Sequence, residues 1–239
     1  MSQTWSGSNI TPQIGSNCNL VGLGKSVAIS GDGSTYAAGS PDYHNPNPNQ
    51  ICHYSGSGLI YVRKTSLPNQ HNANYYYTDT TLYGPLLWNG GFGTSLSLNY
   101  YGDILAVGSN SLVRCYKWNG TNWVQMGADI PYQGINIEQN KDGTKIIIQS
   151  PHSNSPGGWG GSIRVFEWNG NSWIQIGSTI STNSSGTILK DIAINNTGTI
   201  IASSGWPGTK IFELINNSWS QKGQTLNTDG YSNAVDLNG

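Results

Sequence analysis

The chain has little charge. Eleven Lys and Arg and twelve Asp and Glu leave only 10% of its 239 residues charged, with a net charge near −1. No basic run occurs, so the counterion-release term that drives most nucleic-acid binding is missing. No apolar run approaches the roughly 18 residues that a membrane-spanning helix needs. The start, Met1-Ser-Gln-Thr-Trp5, lacks a basic cluster ahead of an apolar core, so no secretory signal is visible. Cysteine is scarce, and Cys18, Cys52 and Cys115 show no spacing that suits zinc or a CxxC redox pair. Cys115 lies in an apolar strand pattern and reads as a small core residue. A Cys18–Cys52 disulfide stays open. The four histidines, His44, His53, His71 and His152, lack the close spacing of a metal site on a strand or helix. No Gly-X-Ser-X-Gly elbow is present, and no paired carboxylates stand in matching loops. These absences lead to the expectation of no metal, no cofactor and no enzymatic activity.

Glycine is what the chain has in quantity, 32 residues of it, and it is periodic. Gly24 and Gly33, Gly93 and Gly102, Gly134 and Gly143, and Gly230 and Gly239 each stand nine residues apart. One further copy has Leu189 in the first place and Gly198 in the second. Spacing of this kind marks an array of like units.

The unit is clearest after Gly134. A first strand, Ile135 to Asn140, meets the turn Lys141-Asp-Gly143, and Asp-Gly is a strong hairpin signal. The second strand is Lys145 to Pro151, the third Ser162 to Trp168 and the fourth Trp173 to Gly177. The other copies align: Tyr36-Ala-Ala-Gly-Ser-Pro41, Leu105-Ala-Val-Gly-Ser109 and Ile200-Ile-Ala-Ser-Ser204 share the second place. Trp118 and Trp168 lie 50 residues apart, as do Trp123 and Trp173. Four strands joined by tight turns predict an antiparallel meander.

Many of these strands are apolar on both faces, as in Lys145-Ile-Ile-Ile148. A sheet with one wet face would alternate apolar and polar residues. Two covered faces predict small sheets packed between neighbours, which is an all-β fold of β-propeller type. An open solenoid is the competing architecture. One domain is expected over 1–239, with repeats of approximately 16–83, 84–127, 128–177 and 178–223. Residues 224–239 together with 1–15 form an incomplete closing blade, giving five blades in all. Ser232–Leu237 is expected as the first strand of that blade. Its missing second strand leaves three readings: a three-stranded blade, a strand from another molecule, or a longer polypeptide.

Phe92-Gly93, Leu23-Gly24 and Gly134 open strands, while Gly39-Ser-Pro41, Gly108-Ser109 and Gln149-Ser-Pro151 close them. In these pairs the chain resembles the FG-GAP repeats of integrin-α-like β-propellers. The Trp-Asn-Gly-X-X-Trp-X-Gln-X-Gly variant is similar to propellers of bacterial and large-virus surface proteins. Many FG-GAP hairpins carry a calcium cage of several carboxylates. The equivalents here, Ser30–Gly33, Asn99–Gly102, Asn140–Gly143 and Asn195–Gly198, hold at most one carboxylate each, so bare turns without calcium are expected.

Five tryptophans recur in register, and most of them read as packing between sheets or as hairpin clamps: Trp118, Trp123, Trp168, Trp173 and Trp219. Trp159 and Trp206 fall instead between second and third strands, outside the strand pattern. Tyr43 and His44 share that loop in the first repeat, and His152 follows Ser150-Pro151 in the third. Together these residues predict a binding rim. The resulting expectation is a non-catalytic binding or adhesion module with a protein or glycan ligand, on an extracellular or particle surface. Its variants are a lectin using the loop aromatics and a structural protein that self-associates through the incomplete blade.

Overall fold

The computed structural model describes residues 23–43, 57–66, 76–85, 90–151, 161–181, 188–227 and 233–237. Among them there is no helix. The first sheet holds β1 (Ser26–Ile29), β2 (Thr35–Ser40), β3 (Leu59–Ser66) and β4 (Tyr76–Tyr83). The second holds β5 (Ser95–Leu98), β6 (Ile104–Gly108), β7 (Val113–Trp118) and β8 (Trp123–Gln125). The third holds β9 (Asn136–Gln139), β10 (Lys145–Pro151), β11 (Gly161–Trp168) and β12 (Trp173–Ser181). The fourth holds β13 (Ile188–Ile194), β14 (Ile200–Trp206), β15 (Gly208–Ile215) and β16 (Ser218–Gln221), with β17 (Leu226–Asn227) pairing the start of β15. Within each sheet consecutive strands are antiparallel neighbours, so each repeat is a meander.

The hairpins form because their first residue closes the turn with its own side chain. Asn99 Oδ1 accepts from the amides of Asp103 and Ile104, and Asn195 Oδ1 from those of Thr199 and Ile200. Asn140 Oδ1 accepts from Lys145, and Ser30 Oγ accepts from Thr35. The last turn residue must then enter the left-handed region, and Gly33, Gly102, Gly143 and Gly198 do so at φ of 71°, 63°, 72° and 68°. This accounts for the second glycine of the interval. It also accounts for the carboxylate-poor turns, whose acceptor oxygens serve their own backbone.

The sheets stack in chain order. Ile146 and Ile148 of β10 pack toward the second sheet, in a cluster with Ile104, Ala106, Val113 and Cys115. Ile147 points the other way, into a cluster with Ile192, Ile194, Ile201 and Phe212 of the fourth sheet. Leu105 and Val107 face Ile60 and Val62 of the first. Alternate side chains of one strand therefore feed two different cores. Ile146, Ile147 and Ile148 are all fully buried, and burial of each contributes about 1.5–3 kcal/mol.

Side-chain and backbone links run from sheet to sheet along the first strands. Ser26 Oγ donates to Gly93 O at 2.6 Å and Ser95 Oγ to Gly134 O at 2.7 Å. Asn136 Nδ2 donates to Asp191 Oδ1 at 2.7 Å. The hairpin turns are linked as well, through Asp32 N to Tyr100 O, Tyr100 N to Lys141 O and Lys141 N to Asn196 O. The indole N–H of Trp173 donates to Met126 O at 3.0 Å and that of Trp219 to Ile176 O at 3.2 Å, so these tryptophans do tie neighbouring sheets. The arrangement is propeller-like. Among the described residues no strand of the fourth sheet pairs with one of the first.

One expectation needs correction. Residues 233–237 carry no strand ladder. Val235 N donates to the side-chain Oδ2 of Asp191 on β13 at 3.1 Å. A side-chain acceptor occupies the amide that a ladder would need from a backbone carbonyl.

Candidate functional site

A concavity opens at the junction of the second and third sheets, where β10 ends and β11 begins. It is a cleft of about 430 Å³ lined by Ser111, Tyr132, Ser150, Ser162, Arg164 and Ser181 with Pro131, Gln133, Pro151 and Gly161. Register puts these groups there. Ser150 pairs Ser162 and Pro151 pairs Gly161 at the end of the β10–β11 ladder, and Ser162 pairs Ser181 of β12. Arg164, opposite Ile148, lies one step inward on β11.

The guanidinium of Arg164 stacks over the Tyr132 ring, 4.1 Å from its centroid. Its Nη1 donates to Ser162 Oγ at 2.6 Å. Ser150 Oγ donates to Gln133 O at 2.7 Å, which holds the linker before β9 against β10. Among the described residues no carboxylate lies within ion-pair distance of Arg164. The cleft therefore presents one cation, one aromatic ring and several hydroxyls. Such a set accepts an oxyanion or a hydroxyl-rich molecule.

A smaller cleft, about 200 Å³, opens at the matching place between the first and second sheets, lined by Lys25, Pro41, Asp42, Gly91, Thr94 and Asn110. Here the cation is neutralised, because Lys25 Nζ pairs with Asp42 Oδ2 at 2.9 Å.

Glu138 stands apart from both clefts, on β9. Its Oε2 accepts from Ile194 N at 3.0 Å. Burial pushes its carboxyl up to about 7, opposed by that backbone N–H and reinforced by the negative charges of Asp236 and Asp191. Among the described residues no group of three His, Cys, Asp or Glu is placed to hold a metal ion.

Of the residues expected to form a rim, Tyr43 and Trp206 are described. His44, His152 and Trp159 lie outside the described residues, as do Cys18 and Cys52. Tyr43 is not a rim residue: it is 2% exposed. Its N–H donates to Ser40 O, its carbonyl accepts from Gly58 N, and its ring packs against Tyr83, 6.2 Å away. Pinned on both sides, the backbone turns the ring inward. Trp206 is half-exposed, at the end of β14 opposite Ile188, in the ladder rather than in a loop. Pairing places it level with Pro151, which lines the large cleft one repeat earlier. Arg164 and Tyr132 were not among the sequence candidates.

No protein-family model matches the chain. No curated protein matches it either. Solved structures do. A candidate 6-phosphogluconolactonase from Bacteroides uniformis ATCC 8492 matches with a TM-score of 0.53 at 11% identity, over 86% of this chain and 55% of its own. A candidate 6-phosphogluconolactonase from Bacteroides fragilis NCTC 9343 matches with a TM-score of 0.52 at 11% identity, again over 86% and 55%. The chain thus spans about half the length of those structures, and at this identity the likeness is one of fold.

That fold bears an enzyme's name in both neighbours, which overturns the expectation of a non-catalytic binding or adhesion module, with its lectin and assembly variants. The expectation rested on missing catalytic motifs. In stacked sheets a site is assembled from the ends of separate repeats, so no contiguous motif has to mark it.

Proposed function

We propose that the chain is an enzyme acting on a small, hydroxyl-rich molecule held in the Arg164 cleft, and that its substrate is a sugar-acid lactone of the kind in the neighbours' names. The cleft is the observation that carries this reading. Its volume of about 430 Å³ lies within the roughly 300–1,000 Å³ of small-molecule sites. Serine hydroxyls line it on several sides, matching a polyol. Opening a lactone builds negative charge on the carbonyl oxygen, and pre-placed O–H and N–H donors lower that barrier.

The test is the rate of 6-phosphogluconolactone hydrolysis, followed by proton release at constant pH against a protein-free control. A first-order dependence on protein concentration is expected. A rate equal to the spontaneous one at all protein concentrations would contradict the reading.

We also read the four sheets as blades of a five-bladed propeller with FG-GAP-like repeats, the last blade assembled from 1–15 and from the part of 224–239 that follows β17. The support is the link from Val235 to Asp191, which continues the series Ser26–Gly93, Ser95–Gly134 and Asn136–Asp191 to a fifth position. Removal of 233–239 is expected to speed amide exchange at Ile192–Ile194. Unchanged exchange there would count against a fifth blade.

A further inference from the structure

The second and third repeats carry the same arginine in two different electrostatic settings. Arg114 on β7 stands opposite Val107, and Arg164 on β11 stands opposite Ile148, at matching registers. Each lies near an aromatic ring that precedes the first strand of its own sheet, Phe92 at 5.8 Å and Tyr132 at 4.1 Å. Arg114 is neutralised by a bidentate pair, Nε to Asp129 Oδ1 at 2.7 Å and Nη2 to Asp129 Oδ2 at 2.8 Å. Asp129 is held in turn by Gln125, whose Nε2 donates to Oδ1 at 3.1 Å.

The third repeat keeps the glutamine and loses the acid. Gln175 Nε2 donates to Thr179 Oγ1 at 3.2 Å, so Thr179 occupies the place of Asp129. Fifteen residues separate Arg114 from Asp129 and Arg164 from Thr179 alike. Segments 152–160 and 182–187, which flank this repeat's described strands, contain neither Asp nor Glu. Only one N–H of the Arg164 fork meets a described acceptor, Ser162 Oγ, while an arginine offers five. A guanidinium that lines a cleft, is stacked on a ring and lacks its carboxylate is ready for an external one or for a phosphate.

From this substitution of threonine for aspartate we infer that Arg164 is an oxyanion-binding residue and that the cleft takes a small polyol bearing a phosphate. Phosphate fits better than carboxylate because its three oxygens can use both the arginine fork and the hydroxyls of Ser162 and Ser181. The inference rests on the proposed function for the polyol part and names its charged group. Arg164 acts here in binding, holding the substrate by the end remote from the reacting bond.

The test is calorimetric titration at low salt with three probes: 6-phosphogluconate, gluconate and inorganic phosphate. The wild-type chain should bind 6-phosphogluconate more tightly than gluconate by about tenfold or more. Arg164→Met should weaken 6-phosphogluconate binding by a similar factor. Thr179→Asp should do the same with the arginine still present, because it rebuilds the Arg114–Asp129 pair. Thr179→Val should bind as wild type does, which separates charge from packing. Equal affinities for 6-phosphogluconate and gluconate, undiminished binding in Arg164→Met or Thr179→Asp, or no heat with any probe would overturn the inference. Anion binding without lactone hydrolysis would sink the proposed function and leave this inference standing. Hydrolysis that survives Arg164→Met with unchanged KM would do the reverse.

Discussion

The indole of Trp219 donates to the carbonyl of Ile176 at 3.2 Å across the junction of the third and fourth sheets, as Trp173 does to Met126 at 3.0 Å one junction earlier. The two bonds repeat the same clamp, and Gly177 and Gly127 keep the clamped corner open. A Cβ on Gly177 would lie 2.5 Å from Trp219 Cδ1, and one on Gly127 2.7 Å from Trp168 Cζ3. Replacing Trp219, 7% exposed, by Ala should cost about 3–5 kcal/mol in urea unfolding. Trp173→Phe should cost about 1 kcal/mol, the net value of one hydrogen bond. Equal, near-zero effects would show that the clamps do not hold the sheets.

Close backbone approach makes a second prediction. A Cβ on Gly108 would collide with the carbonyl of Gly134, and one on Gly39 with that of Gly93. In the third repeat Gln149 takes this register, and its Nε2 donates to Leu189 O at 3.3 Å. There a side-chain amide makes the link to the next sheet, and Leu189 stands where the other copies have the opening glycine. Gly108→Ala should therefore destabilise by more than about 2 kcal/mol, because of the two atoms it would meet, Ser95 Oγ and Gly134 O, the second is backbone and cannot step aside. A neutral effect in thermal unfolding would contradict the tight junction.

Glu138 gives the fold a pH dependence. Burial raises its carboxyl from an ordinary 4.5 to about 7. Between those values the folded chain binds more protons than the unfolded one, so stability falls as pH rises through that window. Glu138→Gln keeps an acceptor for Ile194 N and removes the charge. The variant should match wild type near pH 4.5 and exceed it at pH 8, by on the order of 1–3 kcal/mol. The check is the difference in unfolding midpoint between the two proteins across pH. A difference that does not change with pH would refute the assignment.

Cys115 is 2% exposed, and burial pushes its thiol far above the ordinary range. In a Cys18→Ser, Cys52→Ser background it should stay unreactive toward a disulfide reagent until denaturant is added. Prompt reaction of the native protein would mean that the core between the second and third sheets opens readily.

The repeat architecture was legible because glycine, asparagine and β-branched residues are forced by backbone geometry, which is local. Gly33, Gly102, Gly143 and Gly198 had to stand where φ is positive. Ile146–Ile148 had to be covered on both faces. The site was less legible because it depends on which side chains meet across a junction. Tyr43 looked like a loop aromatic, but its ring lies inside against Tyr83. Arg164 did leave a trace: a shift of 50 residues superposes Arg114 on Arg164 and Asp129 on Thr179. That pair of positions becomes informative once register shows that the arginine and the acid face each other.

The most direct measurement is a crystal structure of the chain with 6-phosphogluconate. The account predicts ligand density in the cleft between the second and third sheets, with phosphate oxygens within hydrogen-bond distance of Arg164 and the Tyr132 stack preserved. A cleft left empty while ligand binds elsewhere, or Arg164 paired with a carboxylate of the chain itself, would contradict it.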